Sequence, residues 1–422
     1  MLLCLRQGTA TSRRWPRKAS GISRSAAGRI GEGIHLQSLV YHLTMPNPSL
    51  RVLHVVHSLG TGGTECVLVR VANRLSERGF DFHVCCLGEA GELVASMPRP
   101  DQVHALCRSD GWSLRTVAGL RRVFRHVAPD VIHTHNIGPL LYAAPASRWG
   151  LRWPILHGEH AQMGPRVGTR YAWLSRLLYT ACRRVHTVSE NQLADLRSLG
   201  FASQRRSLAV ANGVDLELFR PGASSVAEEL ALPAGSRLLG VVGRLIASKH
   251  HVRLVQGLAQ LPADVHLVVI GDGEVRSQIL AEAGQLGCAD RVHLMGTRSD
   301  MVRFYQAMDL LVVSSDSEGL SNVILEAMAC ATPVVANSYC GGCDEVITHG
   351  QDGWLLPMDT PERVAAAIRE ALSSAAELDQ RGNRARQTIA ERFNFERTVD
   401  QYEATYRLCA SRRRSPVAEE GR

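Results

Sequence analysis

From residue 51 onward, short apolar runs alternate with amphipathic stretches. The run RVLHVVHS (51–58) has the length and β-branched content of a buried strand. TECVLVRVANRLSERG (64–79) then spaces its apolar residues at three and four, and Gly79 suits a helix C-cap. Strand-like runs follow at 80–88, 130–136, 154–160 and 184–190, with a helix expected over 113–129. The pattern pauses at 207–224. It restarts with strand-like runs at 237–245, 265–273, 291–297, 308–315 and 332–338, separated by helical stretches, and closes with a helix over 395–411. Such alternation predicts parallel sheets covered by helices. The fold class expected is α/β, with two Rossmann-like, doubly wound parallel-sheet domains facing an interdomain cleft. The first spans 51–206 and the second 207–394, with 395–411 as a return helix. Open sheets of this kind bind ligands beyond the carboxyl ends of their strands, so the cleft is the expected site.

A length of 422 residues suits two domains, and a hydrophobic content of 45% allows each a core. The net charge of +8 is uneven. Residues 1–50 hold Arg6, Arg13, Arg14, Arg17, Lys18, Arg24 and Arg29 against Glu32, and the tail over 412–422 opens with three arginines. The body between is close to neutral and has no basic stripe interleaved with aromatics, so nucleic acid is not an expected partner. The basic segment is expected to be a disordered extension or an over-extended start before Met45; its composition also resembles an organellar transit peptide. No run of about 18 apolar residues marks a membrane span. The 11 cysteines are scattered, mostly in apolar runs, as in a reduced cytosolic chain. Cys340-Gly-Gly-Cys343 has no second pair at zinc-ribbon spacing.

Polar residues and glycines gather at the predicted strand ends. Gly60, Gly62 and Gly63 form a turn into a helix whose N–H groups suit a phosphate. The spacing is not that of a dinucleotide fingerprint. His57, His133, His135, His157 and His160 lie at predicted strand C-termini of the first domain, suited to proton transfer, to hydrogen-bonding support of a reacting group or to a metal. In the second domain Arg244 and Lys249 follow a strand, a fork and a point charge fit to neutralise a diphosphate. In SEGLSNVILEAMACA, Ser321 is placed to N-cap a helix whose first N–H groups, at Asn322 and Val323, point into the cleft. Glu318 precedes that helix, and Glu326 lies one turn inside it.

These motifs together resemble the retaining glycosyltransferases of family 4, which have the GT-B fold. The resemblance rests on GTGGTE, DVIHTHN and HGEH in the first half. In the second it rests on Gly243-Arg244-Leu245 with Lys249, IGDG (270–273), the glutamate stretch 318–326 and GGCDEVITHGQDGWLLP (341–357). It covers about residues 51–410, and its flavour is that of exopolysaccharide-cluster sugar transferases. The resemblance implies that Glu318 meets hydroxyls of the donor sugar and Glu326 the two ribose hydroxyls. Arg244 and Lys249 would hold the diphosphate, approached by Gly62 and Gly63 from the other domain. Gly319, Leu320, Ser321, Asn322 and Val323 would supply backbone contacts. His160 would stand near the reacting sugar, with His157 its close competitor and His135 a further acceptor or sugar contact. With Glu318, Arg244 and Lys249, His160 completes the expected catalytic set. HGEHAQMGPR departs from the family's HGEHGR after His160, which bears on the acceptor loop.

The implied reaction moves a sugar from a nucleotide-diphosphate donor to a glycan or lipid-linked acceptor, retaining anomeric configuration, in exopolysaccharide or cell-surface glycan synthesis. No cofactor or metal is expected, because protein cations can neutralise the leaving group. The expected location is the cytoplasm, with RYAWLSRLLYTACRR (170–184) as a possible interfacial helix for peripheral contact at the inner face of the plasma membrane. The alternatives are a sugar-nucleotide 2-epimerase on the same scaffold and a non-catalytic sugar-binding protein.

Overall fold

The computed structural model describes residues 49–60, 62–108, 111–160 and 169–410. The basic segment before residue 49, the tail over 412–422 and the acceptor-loop departure after His160 lie outside the described residues.

The first sheet holds seven parallel strands: β1 (Arg51–Val56), β2 (Asp81–Cys86), β3 (Val103–Ala105), β4 (Val131–His135), β5 (Ile155–Glu159), β6 (Arg184–Thr187) and β7 (Ser207–Ala209). Their order is β3-β2-β1-β4-β5-β6-β7. The second sheet is formed by β8 (Arg237–Val242), β9 (Val265–Ile270), β10 (Val292–Gly296), β11 (Leu310–Val313), β12 (Val334–Asn337) and β13 (Trp354–Leu356). Its order, β10-β9-β8-β11-β12-β13, repeats the winding of the first. Both faces of each sheet are covered, so central strands such as VHLVVI (265–270) are buried at every position.

Strands β3, β7 and β13 are absent from the sequence-level expectation. Each has three residues, too few to display a period. Strand β7 corrects the expected domain limit: Ser207–Ala209 pairs with β6, so the first sheet extends past residue 206.

Winding outward from β1 in both directions puts a switch point between β1 and β4, and a second between β8 and β11. Loops leaving the two strands at a switch point diverge and leave a crevice. The turn at Gly62 and the end of β4 border the first crevice. The 243–250 and 314–321 loops border the second.

The helix Phe395–Ala410 returns to the first lobe. Val399, Tyr402, Tyr406 and Cys409 pack with Val52, Phe80, Phe82 and Val131 on one face of the first sheet. Each such buried side chain contributes about 1.5–3 kcal/mol. At the helix edge Arg78 meets Glu396, Asp400 and Glu403 at 2.8, 2.6 and 3.1 Å. On the other face the helix Thr169–Tyr179 packs Leu178 and Tyr179 into the core. Its Trp173 and Leu177 stay 67% and 40% exposed. Among the described residues no helix is long and apolar enough to cross a membrane.

Candidate active site

A cleft of ≈ 1470 Å³ runs between the two crevices. It is lined by Gly62, Gly63 and His160 from the first lobe, and by Arg244, Lys249, Glu318, Gly319, Leu320, Ser321, Asn322, Val323 and Glu326 from the second. Sequence spacing gave no distances between these groups; the opposed switch points supply them.

The 314–321 loop is built by cross-loop bonds. The Ser314 hydroxyl donates to the Lys249 carbonyl at 2.8 Å, and the Glu318 N–H donates to the Gly341 carbonyl at 3.1 Å. His250, in a left-handed conformation (φ 55), directs its ring at Asp316. These ties bring Lys249 against Glu318, and their side chains form an ion pair. Arg244 is exposed, and its side chain makes no hydrogen bond or ion pair among the described residues. It faces the first lobe, where its charge acts on Glu65.

Two helix N-termini enter the cleft from opposite lobes. The helix Gly63–Glu77 begins at Gly62, and the helix Asn322–Ala329 begins at Ser321. Ser321 occupies the N-cap position, but its hydroxyl does not cap the helix, which corrects the expected side-chain cap. The N–H groups of the first turn are left for another partner.

Close backbone approaches hold the lobes together here. A Cβ on Gly319 would lie 2.7 Å from the His160 carbonyl oxygen, so only glycine fits. A Cβ on Gly63 would lie 2.9 Å from the Asn322 amide nitrogen, and that amide donates to the Gly63 carbonyl at 3.2 Å. Asn212, from the crossover segment, donates to the Asn322 side-chain oxygen at 2.9 Å.

Glu326 is held from both lobes. Tyr305 donates its hydroxyl to one carboxylate oxygen at 3.0 Å, and Arg70 approaches the other at 3.5 Å. Burial raises the Glu326 carboxyl above its ordinary value; Arg70 and the Tyr305 hydroxyl oppose this. Burial and the nearby carboxylate push Tyr305 well above the usual phenol range. Neither Arg70 nor Tyr305 stood out in the sequence. Arg70 acquires its role only from the facing lobe, and Tyr305, buried in its own lobe's core, only from the packing of its helix against the one that carries Glu326.

The histidines separate by strand face. His157 is fully buried, bonds the Thr134 hydroxyl at 2.9 Å and packs at a tilt against Tyr179, on the face away from the helix Phe395–Ala410. It borders neither the cleft nor the neighbouring cavity, so the expectation of a sugar or acceptor contact at His157 is corrected. His160 is the one of the two at the cleft. His135 ends β4 and lines a separate cavity of ≈ 450 Å³ with His57, Glu65, Arg108, Trp112 and Tyr142.

His133 is not at a strand end; it lies mid-strand and buried. It belongs to a polar cluster with His54, His135, His160, His186 and Tyr406, linked by contacts of 2.9–3.3 Å. His54 and His186 were missed, although a histidine inside a valine run such as RVLHVV is itself a signal of a buried polar group. Nitrogens of His54, His133 and His135 all lie within 4.8 Å of one another, close enough to share a metal ion. The hydrogen bonds already occupy them.

Residues 61–218 match the family Glycosyltransferase Family 4, and residues 225–388 match Glycosyl transferases group 1. Over 359 residues the chain is 30% identical to a D-inositol 3-phosphate glycosyltransferase of Thermobispora bispora, a span of 74% of this chain and 82% of that one. The chain belongs to glycosyltransferase family 4. This glycosyltransferase is also 24% identical over 359 residues to the N-acetyl-alpha-D-glucosaminyl L-malate synthase of Bacillus anthracis, covering 82% of this chain and 93% of the relative. Anabaena HepE, solved with UDP and glucose, superposes with a TM-score of 0.75 at 22% identity, covering 84% of this chain and 99% of HepE. The enzyme therefore has the GT-B fold. Family membership leaves the epimerase and the non-catalytic sugar-binding alternatives without support.

Burial also makes the enzyme acid-sensitive. It lowers His54, His160 and His186 from 6.5 to about 3, and lowers His133 and His135 well below 6.5 with help from neighbouring imidazoles. Protons then bind the unfolded chain first, so this stability is complete above pH 6.5 and is lost as pH falls below it. Five neutral imidazoles give a slope of up to about 7 kcal/mol per pH unit. Glu326, raised instead, works in the opposite sense with one group. Urea unfolding midpoints measured from pH 8 to 5 should be flat and then fall steeply below about 6.5. A flat profile to pH 5 contradicts a neutral buried cluster.

Proposed function

We propose that this glycosyltransferase transfers a sugar from a nucleoside-diphosphate donor with retention of anomeric configuration. The observation that carries this is the convergence of Arg244, Lys249 and two helix N-termini on a cleft that also holds Glu318 and Glu326. The HepE structure, with UDP and glucose, supports a nucleotide sugar as donor. In this reading Arg244, Lys249 and the N–H groups of Ser321, Asn322 and Val323 stabilise the departing diphosphate. Gly62 and Gly63 let the first lobe approach it, and Glu326 accepts from the ribose hydroxyls. Glu318, Gly319 and Leu320 border the sugar, with His160 facing it from across the cleft. Lys249 leaves Glu318 for the phosphate when the donor enters, which frees the carboxylate for sugar hydroxyls.

The C1–O bond to the diphosphate breaks through an oxocarbenium-like state, and the acceptor oxygen forms its bond to C1 on the same face. The acceptor proton passes to the departing phosphate oxygen. No protein nucleophile is needed, so the glutamates serve recognition rather than the paired acid–base chemistry of glycosidases. Removing one leaving-group donor costs about 3 kcal/mol in barrier. Protein cations do the neutralising, so no metal or other cofactor is required.

The acceptor in this reading is a glycan or lipid-linked sugar of exopolysaccharide or cell-surface glycan synthesis, entering beside His135. Exposed Trp173 and Leu177 would rest on the cytoplasmic membrane surface while the enzyme stays cytoplasmic. Small anionic acceptors are a second reading. They are favoured by Arg108 in the first-lobe cavity and by the names of the relatives, which specify an inositol phosphate and L-malate.

A panel of nucleotide sugars, assayed with both acceptor classes in excess chelator, tests the reaction. Transfer should persist, and NMR coupling of the product should show the donor's anomeric configuration. Inverted product, or activity that chelator abolishes, overturns the scheme. Glu326→Ala should raise donor KM by about tenfold or more with little change in kcat, since a charged hydrogen bond contributes about 1.5–3 kcal/mol. Unchanged donor kinetics in a folded variant sinks the ribose role. Flotation with anionic vesicles should recover the enzyme, and Trp173→Ser with Leu177→Ser should release it. Equal recovery of the double variant counts against the membrane face.

A further inference from the structure

We propose that five histidines and Tyr406 form one directional hydrogen-bond relay that fixes His160 as a hydrogen-bond acceptor toward the cleft. The inference rests on the reading that His160 faces the reacting sugar. It adds what His160 can and cannot offer there, and which buried residues decide it.

The relay begins at His186, whose Nδ1 faces the Thr187 carbonyl oxygen at 3.5 Å. A carbonyl has only lone pairs, so this nitrogen carries the His186 proton. The His186 Nε2 is then an acceptor, and His133 Nε2 at 2.9 Å must donate to it. That leaves His133 Nδ1 to accept from the Tyr406 hydroxyl at 2.9 Å. The Tyr406 oxygen in turn accepts from His54 Nε2 at 3.3 Å. His54 Nδ1 accepts from His135 Nε2 at 2.9 Å, and His135 Nδ1 accepts from His160 Nε2 at 2.9 Å. Each neutral imidazole has one proton and the phenol has one, so every proton is used by one bond and every bond has one proton. The opposite order would aim the His186 lone pair at a carbonyl.

The outcome at the cleft is a His160 with its proton committed inward and an Nδ1 lone pair left as acceptor. Nδ1 has no hydrogen-bond partner among the described residues. His160 can therefore accept from a substrate hydroxyl but cannot donate to one. Burial supports the neutral state throughout: it holds His54, His160 and His186 at about 3 and His133 and His135 well below 6.5. His54, His133, His135, His160 and His186 act in pairs that span strands β1, β4 and β6 and the end of β5. Gly158 on β5, in register with His135 and His186, makes room for the crossing. A Cβ there would lie 2.6 Å from His186 Nε2 and 3.0 Å from His160 Nε2.

The test uses the full-length enzyme labelled with ¹⁵N-histidine, because the imidazole tautomer is read directly and independently of any substrate. His160 should show a protonated Nε2 and an unprotonated Nδ1. Tyr406→Phe cuts the relay in the middle and frees the His54–His135–His160 half from the Thr187 carbonyl. His160 should then average between tautomers, and kcat should fall about fivefold with less than twofold change in donor KM. Tyr402→Phe is the matched control: it lies one turn earlier on the same helix, is also buried, and its hydroxyl has no hydrogen-bond partner among the described residues. It should leave both the tautomer and kcat unchanged. A wild-type His160 protonated on Nδ1 overturns the proposal whatever the enzyme transfers, as does a Tyr406→Phe variant identical to Tyr402→Phe. One equivalent of a tightly bound transition metal, lost in His54→Ala, also overturns it, since ligation would replace the hydrogen bonds.

Discussion

The space beside Gly319 is filled by the His160 carbonyl of the opposite lobe, and the geometry of the cleft depends on that contact. A side chain at 319 would drive apart the two loops that carry the cleft's key groups. With none there, the backbone of the glutamate turn sits directly against the end of β5. The Asn322 side-chain amide, bound to the Gly63 carbonyl, makes a second tie between the lobes where two helix N-termini meet. One contact sets backbone against backbone and the other a short side chain against backbone, which positions more tightly than long side chains reaching across solvent.

Around this contact the charges are arranged in linked pairs rather than as isolated ions. Lys249 lies on Glu318, and Glu326 lies between Tyr305 and Arg70. A buried carboxylate without partners is costly, and these partners make one tolerable at the cleft floor. Arg244 is the exception: it is exposed and makes no ion pair among the described residues. The first lobe solves the same difficulty without charge. It buries a row of imidazoles on one face of its sheet, kept neutral, and satisfies them with one another and with Tyr406. The return helix therefore has two tasks: its apolar face closes the core, and its tyrosine closes a polar chain.

Much of this was legible because parallel α/β folds write themselves as apolar runs with punctuation. Long central strands, the glycine turn into the helix Gly63–Glu77, and the carboxylates and cations after β8 and β11 all followed from local pattern. Three-residue strands did not, and β7 moved the end of the first sheet beyond the expected limit. The histidines show the boundary clearly. Alternation along β4 places His133 and His135 on one face, and alternation along β5 places His157 on the opposite face from Gly158. Deciding which face meets the cleft, the return helix or the core required the register of β4, β5 and β6.

The sequence alone determined the fold class and the residue types gathered at the strand ends, because both follow from short-range periodicity and from where a parallel sheet leaves its loops. It also determined the glycosyltransferase family, through motifs whose spacing is local. Tertiary structure decided which of those residues share a cleft, that His160 rather than His157 faces it, that Arg70 and Tyr305 hold Glu326, and that Tyr406 joins a pair and a trio of histidines across 273 and 352 residues of chain. Those are contacts between elements distant in sequence. They depend on register, on helix docking and on the absence of a side chain at Gly63 and Gly319, none of which a local pattern encodes.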